Sequence, residues 1–588
     1  MRQILFLLSV LIGLNGFSQT LPDSRSVDWT LAGLRDTSTA GFIEIDMQAQ
    51  GIVGDGQTPN DAVLNGILAT LPSTGAILKF PAGNFLFNNT IELSNNLVLK
   101  GDGAEESMFT MDLEGSGHAF SIRGQSISGD TSAIVEPSAK DSEFMIVADA
   151  SNFSNGDWIK TIQLDSDLVT SSWAVGTIGQ ITRVRSVSND TIFLASPLRM
   201  NYDIAREPHI VKIIPAENIG LECLKILRID DTAPQQSSNI YYAYAVNCWI
   251  SGIESENCTF SHIQTNFSSN LQVSKSYFHH AFGYGGGGRA YGVMLQLTSN
   301  ECLVEDNIFE HLRHSMIVQA GANGNVFSYN YSFDPFWEST PSNTAGDVVL
   351  HGNFVYANLF EQNICQNIVI DNSHGPNGPF NTMLRNRAEG YGIFFSATNS
   401  PEQNFLGNEI TNRGFPFSFV NYTIQGDGHF IYGNDNKGII DPPGSEMLLD
   451  KSYAYTQRPI FIPQRQWAGI GTPNATKSNS IPAADRLVSR ELFTNTCGNA
   501  TVSSSQNVAD KDDLKIFPNP VEAVLTIQSV RDIQKISISD AKGIVIHYQE
   551  NVGLSNRLST INWADGIYFV TIEFKNNTSV TKAIVKAK

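Results

Sequence analysis

Asparagines recur after short apolar runs at Asn307, Asn330, Asn363, Asn386, Asn408 and Asn434, with intervals of 23, 33, 23, 22 and 26 residues. A period a little over 20 residues matches one turn of a three-sided β-helix, in which every coil repeats the same three short strands. An inward-turned Asn at one corner donates its amide to the Asn of the next coil, so the side chains form a ladder. The long interval holds about ten extra residues. It contains Phe333-Asp334-Pro335-Phe336-Trp337-Glu338, which reads as a loop leaving the stack. This periodic region spans residues 216–440.

The flanks obey different rules. Residues 1–19 read as a signal peptide: Arg2, the apolar run Ile4–Leu14, then Gly16, Ser18 and Gln19. That run is too short to cross a bilayer, and no later stretch reaches the ~18 apolar residues of a transmembrane segment. Export implies an oxidising compartment. The six cysteines lack CxxC spacing, which argues against zinc, and Cys248 with Cys258 is the nearest pair for a disulfide. A net charge of -20 argues against a nucleic-acid or anionic-membrane partner but tolerates a local basic cleft.

Residues 20–126 read as an N-terminal cap and first coils. Gly54-Asp55-Gly56-Gln57-Thr58 opens a turn, and Asn60-Asp61 is placed to cap a helix over Ala62–Leu71. The strand Ala76–Phe80, the turn Pro81-Ala82-Gly83-Asn84, Phe85-Leu86-Phe87 and Leu99-Lys100-Gly101-Asp102-Gly103 follow. This pattern resembles the opening segment of the pectate-lyase superfamily, and the resemblance implies an all-β, right-handed parallel β-helix. Residues 127–215 read as a small β-rich insertion, with hairpins at Gly156-Asp157-Trp158-Ile159 and around Val184 to Leu194. Residues 441–511 lose the period and read as a covering segment and linker. Over residues 512–588, Leu514-Lys515-Ile516-Phe517-Pro518-Asn519-Pro520, Gly566-Ile567-Tyr568-Phe569-Val570 and the terminal Lys582, Lys586 and Lys588 resemble the type IX secretion sorting domain of Gram-negative bacteria. That resemblance implies a small β-sandwich that engages the type IX secretion machinery and delivers the protein to the cell surface or medium.

A second register overlies the Asn repeat. The strands Val293–Gln296, Met316–Gln319, Val348–His351, Ile368–Asp371 and Ile393–Ser396 each read as three apolar residues and one polar. Stacked at about 4.8 Å per coil, they place Gln296, Gln319, His351, Asp371 and Ser396 in one column. Six of the eleven histidines lie between 279 and 374. The corner frame instead stacks His374 on His351, each twelve residues before its asparagine. A polymer lying across such a strip meets two chemistries.

A lyase acting on a uronic-acid polysaccharide must neutralise the carboxylate and remove the neighbouring proton. His351 or His374 is the candidate base, with Asp371 beside them. Arg313, Arg385 or Arg387 is the fork for the carboxylate, and Tyr291 or Tyr391 the proton donor. Gln296, Gln319, His314, Arg289, Arg387 and Trp337 are the candidate substrate contacts, and calcium held by Asp347 and Asp371 is an alternative to arginine. A glycoside hydrolase would use Asp347 and Asp371 as paired carboxylates. A non-catalytic glycan-binding or adhesive protein would present the strip as a solvated face. Asp230-Asp231 lacks the following Gly-His-Gly, which disfavours the polygalacturonase type, and Gly283–Gly288 reads as a loop beside the cleft, not a dinucleotide loop.

Overall fold

The computed structural model describes residues 20–588 apart from 36, 116, 232–235, 398–399, 416–421, 463–466, 468, 473–478, 490–496, 498–513, 519–520, 541–543, 576–578 and 587–588. The signal peptide, Asn519, Pro520, Lys588 and most of the linker lie outside the described residues. Two compact units are separated between Val502 and Ser503.

In the first unit the chain winds into a parallel β-helix. One coil shows the plan: strands Tyr291–Gln296, Leu303–Glu305 and Ile308–Glu310, with the next coil repeating them at His314–Val318, Val326–Ser328 and Tyr331–Phe333. The middle strands of successive coils build a twelve-stranded parallel sheet, beginning at Ile43–Asp46 and ending at Phe430–Tyr432. Side chains alternate in and out along each strand. Those pointing in (Val293, Leu295, Val304, Phe309, Met316, Val318, Phe327 among them) fill one continuous apolar core.

The Asn ladder holds one corner. Asn307 Nδ2 donates to Asn330 Oδ1 at 3.0 Å, Asn330 to Asn363 and Asn363 to Asn386 at 2.9 Å, Asn386 to Asn408 at 3.2 Å and Asn408 to Asn434 at 2.8 Å. Each amide also donates to a backbone carbonyl, and its oxygen accepts a backbone N–H of the preceding coil. The residue before each Asn takes left-handed backbone to turn the corner: Asp306, Tyr329, Gln362 and Arg385, then Gly407 and Gly433 where the sequence supplies glycine. A second ladder, absent from the sequence reading, runs through Asn325, Asn358, Asn381 and Gln403 with 2.9 Å steps. It stands five residues upstream of the first on the four coils it spans.

The end of the stack is closed by a helix at Asp61–Leu68, three residues shorter at its C-terminus than its sequence suggested. Leu64 drives into the core. Asn60 does not cap this helix with its side chain; it is buried and bonds to both the N–H and the carbonyl of Val53. Residues 21–35 do not join the cap. They run back over the helix, with Arg25 donating to Asn404 and Trp29 to the Ala357 carbonyl.

The chain leaves the coils after Phe120–Arg123 to build a six-stranded antiparallel sheet from Gln125–Ala133 to His209–Ile214, with its own core around Ile134, Ile159, Ile192 and Ile210. The described residues between 442 and 489 cover the helix. Arg385 donates to the carbonyls of Thr472, Lys451 and Leu449, Glu361 accepts from Ser452, Tyr453 and Ala454, and Arg486 pairs with Asp306. A disulfide joins Cys223 to Cys497. Cys248 and Cys258, the nearest pair in sequence, are buried free thiols because they occupy different corners of one coil.

In the second unit, strands Leu514–Phe517, Val524–Asp540, Val545–Ser559, Gly566–Phe574 and Ser579–Lys586 form a five-stranded antiparallel sheet. The two longest shift register near Gln528 and Ile533, so both halves of the sheet bury their inner faces in one core.

An amide removed from mid-ladder leaves a buried carbonyl and a buried amide unpaired, at about 1–3 kcal/mol each. Asn363→Ala is therefore expected to destabilise the first unit by about 2–4 kcal/mol in denaturant titration, and Asn434→Ala, at the ladder's last rung, by less.

Candidate functional site

Strand pairing fixes which side chains share a column. Val293, Met316, Val348, Ile368 and Ile393 are in register, as are Leu295, Val318, Leu350, Ile370 and Phe395. The next residue on each strand end is Gln296, Gln319, His351, Asp371 and Ser396, all turned outward. Side-chain bonds run down the column: Gln319 donates to Gln296, and Gln296 to Asn266 of the coil before. His351 Nδ1 lies 2.5 Å from Asp371 Oδ2, and Ser396 donates to Asp371 at 3.2 Å. The strand register thus sets Asp371, not His374, on His351.

His374 joins the group from the turn that follows. Its ring centroid is 4.9 Å from that of His351, edge to face. Gly352 makes this approach possible: a Cβ there would stand 2.7 Å from the His374 carbonyl carbon, and its φ of 80° suits glycine. Outward side chains at the other end of the strands lean over to meet these histidines. His314 lies 5.8 Å from His351 and Tyr291 lies 5.1 Å from His314, both ring to ring. Phe260, Met294, Ile317 and Val349 form the apolar floor beneath.

Electrostatics assign roles. Burial would raise the Asp371 carboxyl, but His351 and the hydroxyl and N–H of Ser373 hold it well below the usual range. Asp371 is an anion whose Oδ2 lies against Nδ1 of the His351 ring, so the carboxylate sits on the side of the imidazole opposite Nε2. Burial, with the charges of Arg313 and His351, pushes His314 down to about 3. His314 is a neutral ring donating Nδ1–H to the Gly346 carbonyl at 2.9 Å. His374 is also lowered, by burial first and then by His351. Burial raises the Tyr291 phenol, so it keeps its proton. Arg313 reaches over the Tyr291 and Trp337 rings at 5.9 and 6.0 Å and donates to the Gly285 carbonyl.

Other sequence candidates lie elsewhere. Asp347 turns into the coil, 1% exposed, accepting from Ser332 and the N–H groups of Gln366 and Asn367. The backbone bends at this corner, so residues 315 and 347 point inward where a straight strand would send them out. Asp347 and Asp371 therefore form neither a carboxylate pair nor a calcium site. Arg385 is spent on the covering segment. Arg387 is buried against Glu409 at 2.8 Å and the Asn479 carbonyl. Tyr391 is buried with its hydroxyl on Asn343. Arg289 is exposed on the glycine loop, its guanidinium folded toward Gly283.

Two residues escaped the sequence reading. Ser171 and Trp173, on the insertion, reach His374: Ser171 Oγ is 3.4 Å from Nδ1, and the Trp173 ring stands edge-on at 5.6 Å. No periodicity marks Ser171-Ser172-Trp173, so only the folded insertion brings them here. A second titratable group lies on the strands Glu254–Glu256 and Tyr277–His279. Glu254, Glu256 and His279 bring donor atoms within 4.8 Å of one another, but the Lys225 ammonium sits between the two carboxylates at 2.8 and 2.5 Å and fills the place of a cation.

Comparison with known proteins agrees with this architecture. Residues 45–200 match the family described as rhamnogalacturonase A/epimerase, pectate lyase-like. Residues 515–586 match the secretion system C-terminal sorting domain. The chain is a parallel β-helix protein with a pectate-lyase-like domain. It ends in a secretion sorting domain. No curated protein matches it by sequence. Among solved structures it is similar to the tailspike protein gp49 of Pseudomonas phage LKA1, at 15% identity and a TM-score of 0.47 over 63% of this chain and 64% of that one. It is also similar to the A-module of Azotobacter vinelandii mannuronan C-5 epimerase AlgE4, at 12% identity and a TM-score of 0.33 over 66% and 90%. A third is the catalytic unit of a GH87 α-1,3-glucanase from Streptomyces thermodiastaticus strain HF3-3, at 10% and 0.36 over 64% and 61%. The chain thus spans less than two thirds of the tailspike's length. The strip from Tyr291 to Ser396 lies outside both matched stretches.

Burial raises the Asp347 carboxyl to about 6 despite its hydrogen bonds. Between the ordinary carboxyl value near pH 4 and pH ~6, the folded protein keeps a proton that the unfolded chain has lost, so stability falls as pH rises through that window. Asp347→Asn, whose amide can accept both N–H groups, is expected to flatten this part of the stability curve, read by denaturant titration at about pH 4.5 and 7.

Proposed function

We propose that this chain is an exported polysaccharide lyase that cleaves a uronic-acid-containing polymer by β-elimination. The observation that carries the reading is the His351–Asp371 pair, 2.5 Å apart on the outer face of the coils. An anionic Asp371 fixes the tautomer of His351 and aims Nε2 outward as a base. His351 takes the proton from the sugar carbon beside the carboxylate, the carbon–carbon double bond forms, and the bond to the leaving glycosidic oxygen breaks. The Tyr291 phenol, still protonated, returns a proton to that oxygen. Arg313 pairs with the substrate carboxylate and offsets the charge that develops during proton removal. His374, kept neutral, lines the same surface without repelling the imidazolium formed on His351.

Hydrolysis is the weaker reading, because Asp347 points into the coil and leaves Asp371 without the second carboxylate such chemistry needs. The sorting domain supports delivery to the cell surface or medium, where polymeric substrates are met.

Incubation with a panel of polyuronates, followed at the absorbance of the unsaturated product, is expected to show new double bonds in step with new reducing ends. His351→Ala and Asp371→Asn should each lower the rate by about 100-fold or more, while Asp347→Asn stays within about threefold of wild type. Reducing ends without the absorbance would establish hydrolysis instead, and binding without either signal would leave an adhesive protein. Full activity in His351→Ala would remove the site assignment whatever the reaction.

A further inference from the structure

The insertion does more than decorate the helix. Its segment from Asp165 to Ile178 is pinned on both sides. The Asp165 carboxylate accepts from the N–H groups of Gly176 and Ile178 at 2.8 and 2.9 Å, closing the loop on itself. Asn353, two residues after His351, accepts from the N–H groups of Thr170 and Ser171 at 2.9 and 3.3 Å. Thr298 donates to the Thr177 carbonyl at 2.6 Å, and Asn323 to the Gly179 carbonyl at 3.0 Å. Every one of these partners on the coils is buried. The loop is held rigidly, yet it presents Trp173 with 48% of its surface exposed.

Trp173 stands at the end of a row of rings. From Tyr291 through His314, His351 and His374 to Trp173, successive centroids are 5.1, 5.8, 4.9 and 5.6 Å apart. Arg313 marks the other end, over Tyr291. A rigid loop that leaves half an indole in water beside a candidate base forgoes the burial that an aromatic side chain ordinarily gains. A pyranose ring has an apolar face of C–H groups that matches an indole in size, and sugar residues of a polymer recur at a spacing comparable to the row.

We propose that Trp173 is a sugar-stacking residue: the insertion supplies a subsite that binds the monosaccharide unit next to the one being cleaved and so sets the register of the polymer over His351. This rests on the reading of the strip as the polysaccharide site. It makes the insertion a specificity element, and it makes Trp173 a binding group that takes no part in proton transfer.

The experiment uses the full chain with Trp173→Ala and Trp173→Phe, kinetics on the polyuronate that the wild type cleaves, and affinity electrophoresis in gels containing that polymer. Trp173→Ala should raise KM about tenfold and weaken retardation in the gel by a similar factor, with kcat within about twofold. Trp173→Phe, which keeps a stacking face, should recover most of the affinity, and both variants should melt with the wild type. Unchanged KM and retardation in Trp173→Ala, with wild-type cleavage intact, would overturn the stacking role and leave the lyase reading standing. A fall in kcat with unchanged KM would also overturn it. If the wild type neither binds nor cleaves any polyuronate, the reaction assignment fails first, and the stacking role falls for that substrate class.

Discussion

Buried amide-to-amide hydrogen bonds between coils set everything else in this molecule. A carboxamide carries two donor hydrogens and an acceptor oxygen, and in a dry corner each must be paired. One Asn per coil meets this condition when the next coil places its own Asn one strand spacing away, because the oxygen of one then receives the hydrogen of the other. Any slip of register leaves several buried polar atoms unpaired at once. Apolar packing makes the coil compact, but Val and Ile side chains would tolerate neighbouring registers far better than the ladders do. Where both run, two ladders five residues apart fix both ends of the strands Val326–Ser328, Leu359–Glu361, Thr382–Leu384 and Asn404–Leu406 of the twelve-stranded sheet.

The candidate site inherits its precision from that lock. Gln296, Gln319, His351, Asp371 and Ser396 come from five different coils, and nothing local in sequence holds them together. Their common column exists because the apolar residues just before them are in register. The short contact between His351 and Asp371 is thus a consequence of stacking, reinforced by Ser373 and Ser396 on the carboxylate. Where the chain adds residues between coils, at the loop after Phe333 and the turn after Asp371, it places Trp337 and His374 around the same strip without disturbing the ladder.

Much of this was readable from sequence because a β-helix converts spacing into position. The Asn repeat set the coil length, and three apolar residues followed by one polar identified the column correctly. The limits of that ruler are equally physical. Asp347 has the right spacing for the strip but sits at a bend, where alternation fails, and it turns inward. Arg385 and Arg387 flank a ladder Asn and looked available, yet one folds outward onto the covering segment and the other onto Glu409. Both engage partners more than 20 residues away, or on segments with no period of their own. The second ladder was in plain sight as Asn five residues before Asn, but its last rung is Gln403, which hides it from a search for asparagine alone.

The insertion shows how a non-repeating segment gains precision from a repeating one. Its polar contacts with the coils include those of Thr298, Asn300, Asn323 and Asn353, side chains at the turn following the site strands. Asn300 bonds both the N–H and the carbonyl of Ile181, in effect extending a strand edge sideways. Arg199 returns the interaction by bonding Asn323 and pairing with Glu301, a buried ion pair with further hydrogen bonds to satisfy it. These directional bonds frame an apolar contact in which Val169, Ala174 and Ile178 of the insertion pack on Ala320, Tyr356 and Ala357 of the coils, and together they oppose sliding. Docking the loop in this way sets the Trp173 ring against His374, whose own carbonyl accepts the N–H of Asn353 on the coils. The insertion loop and the histidine strip, drawn from distant parts of the chain, thereby share one frame.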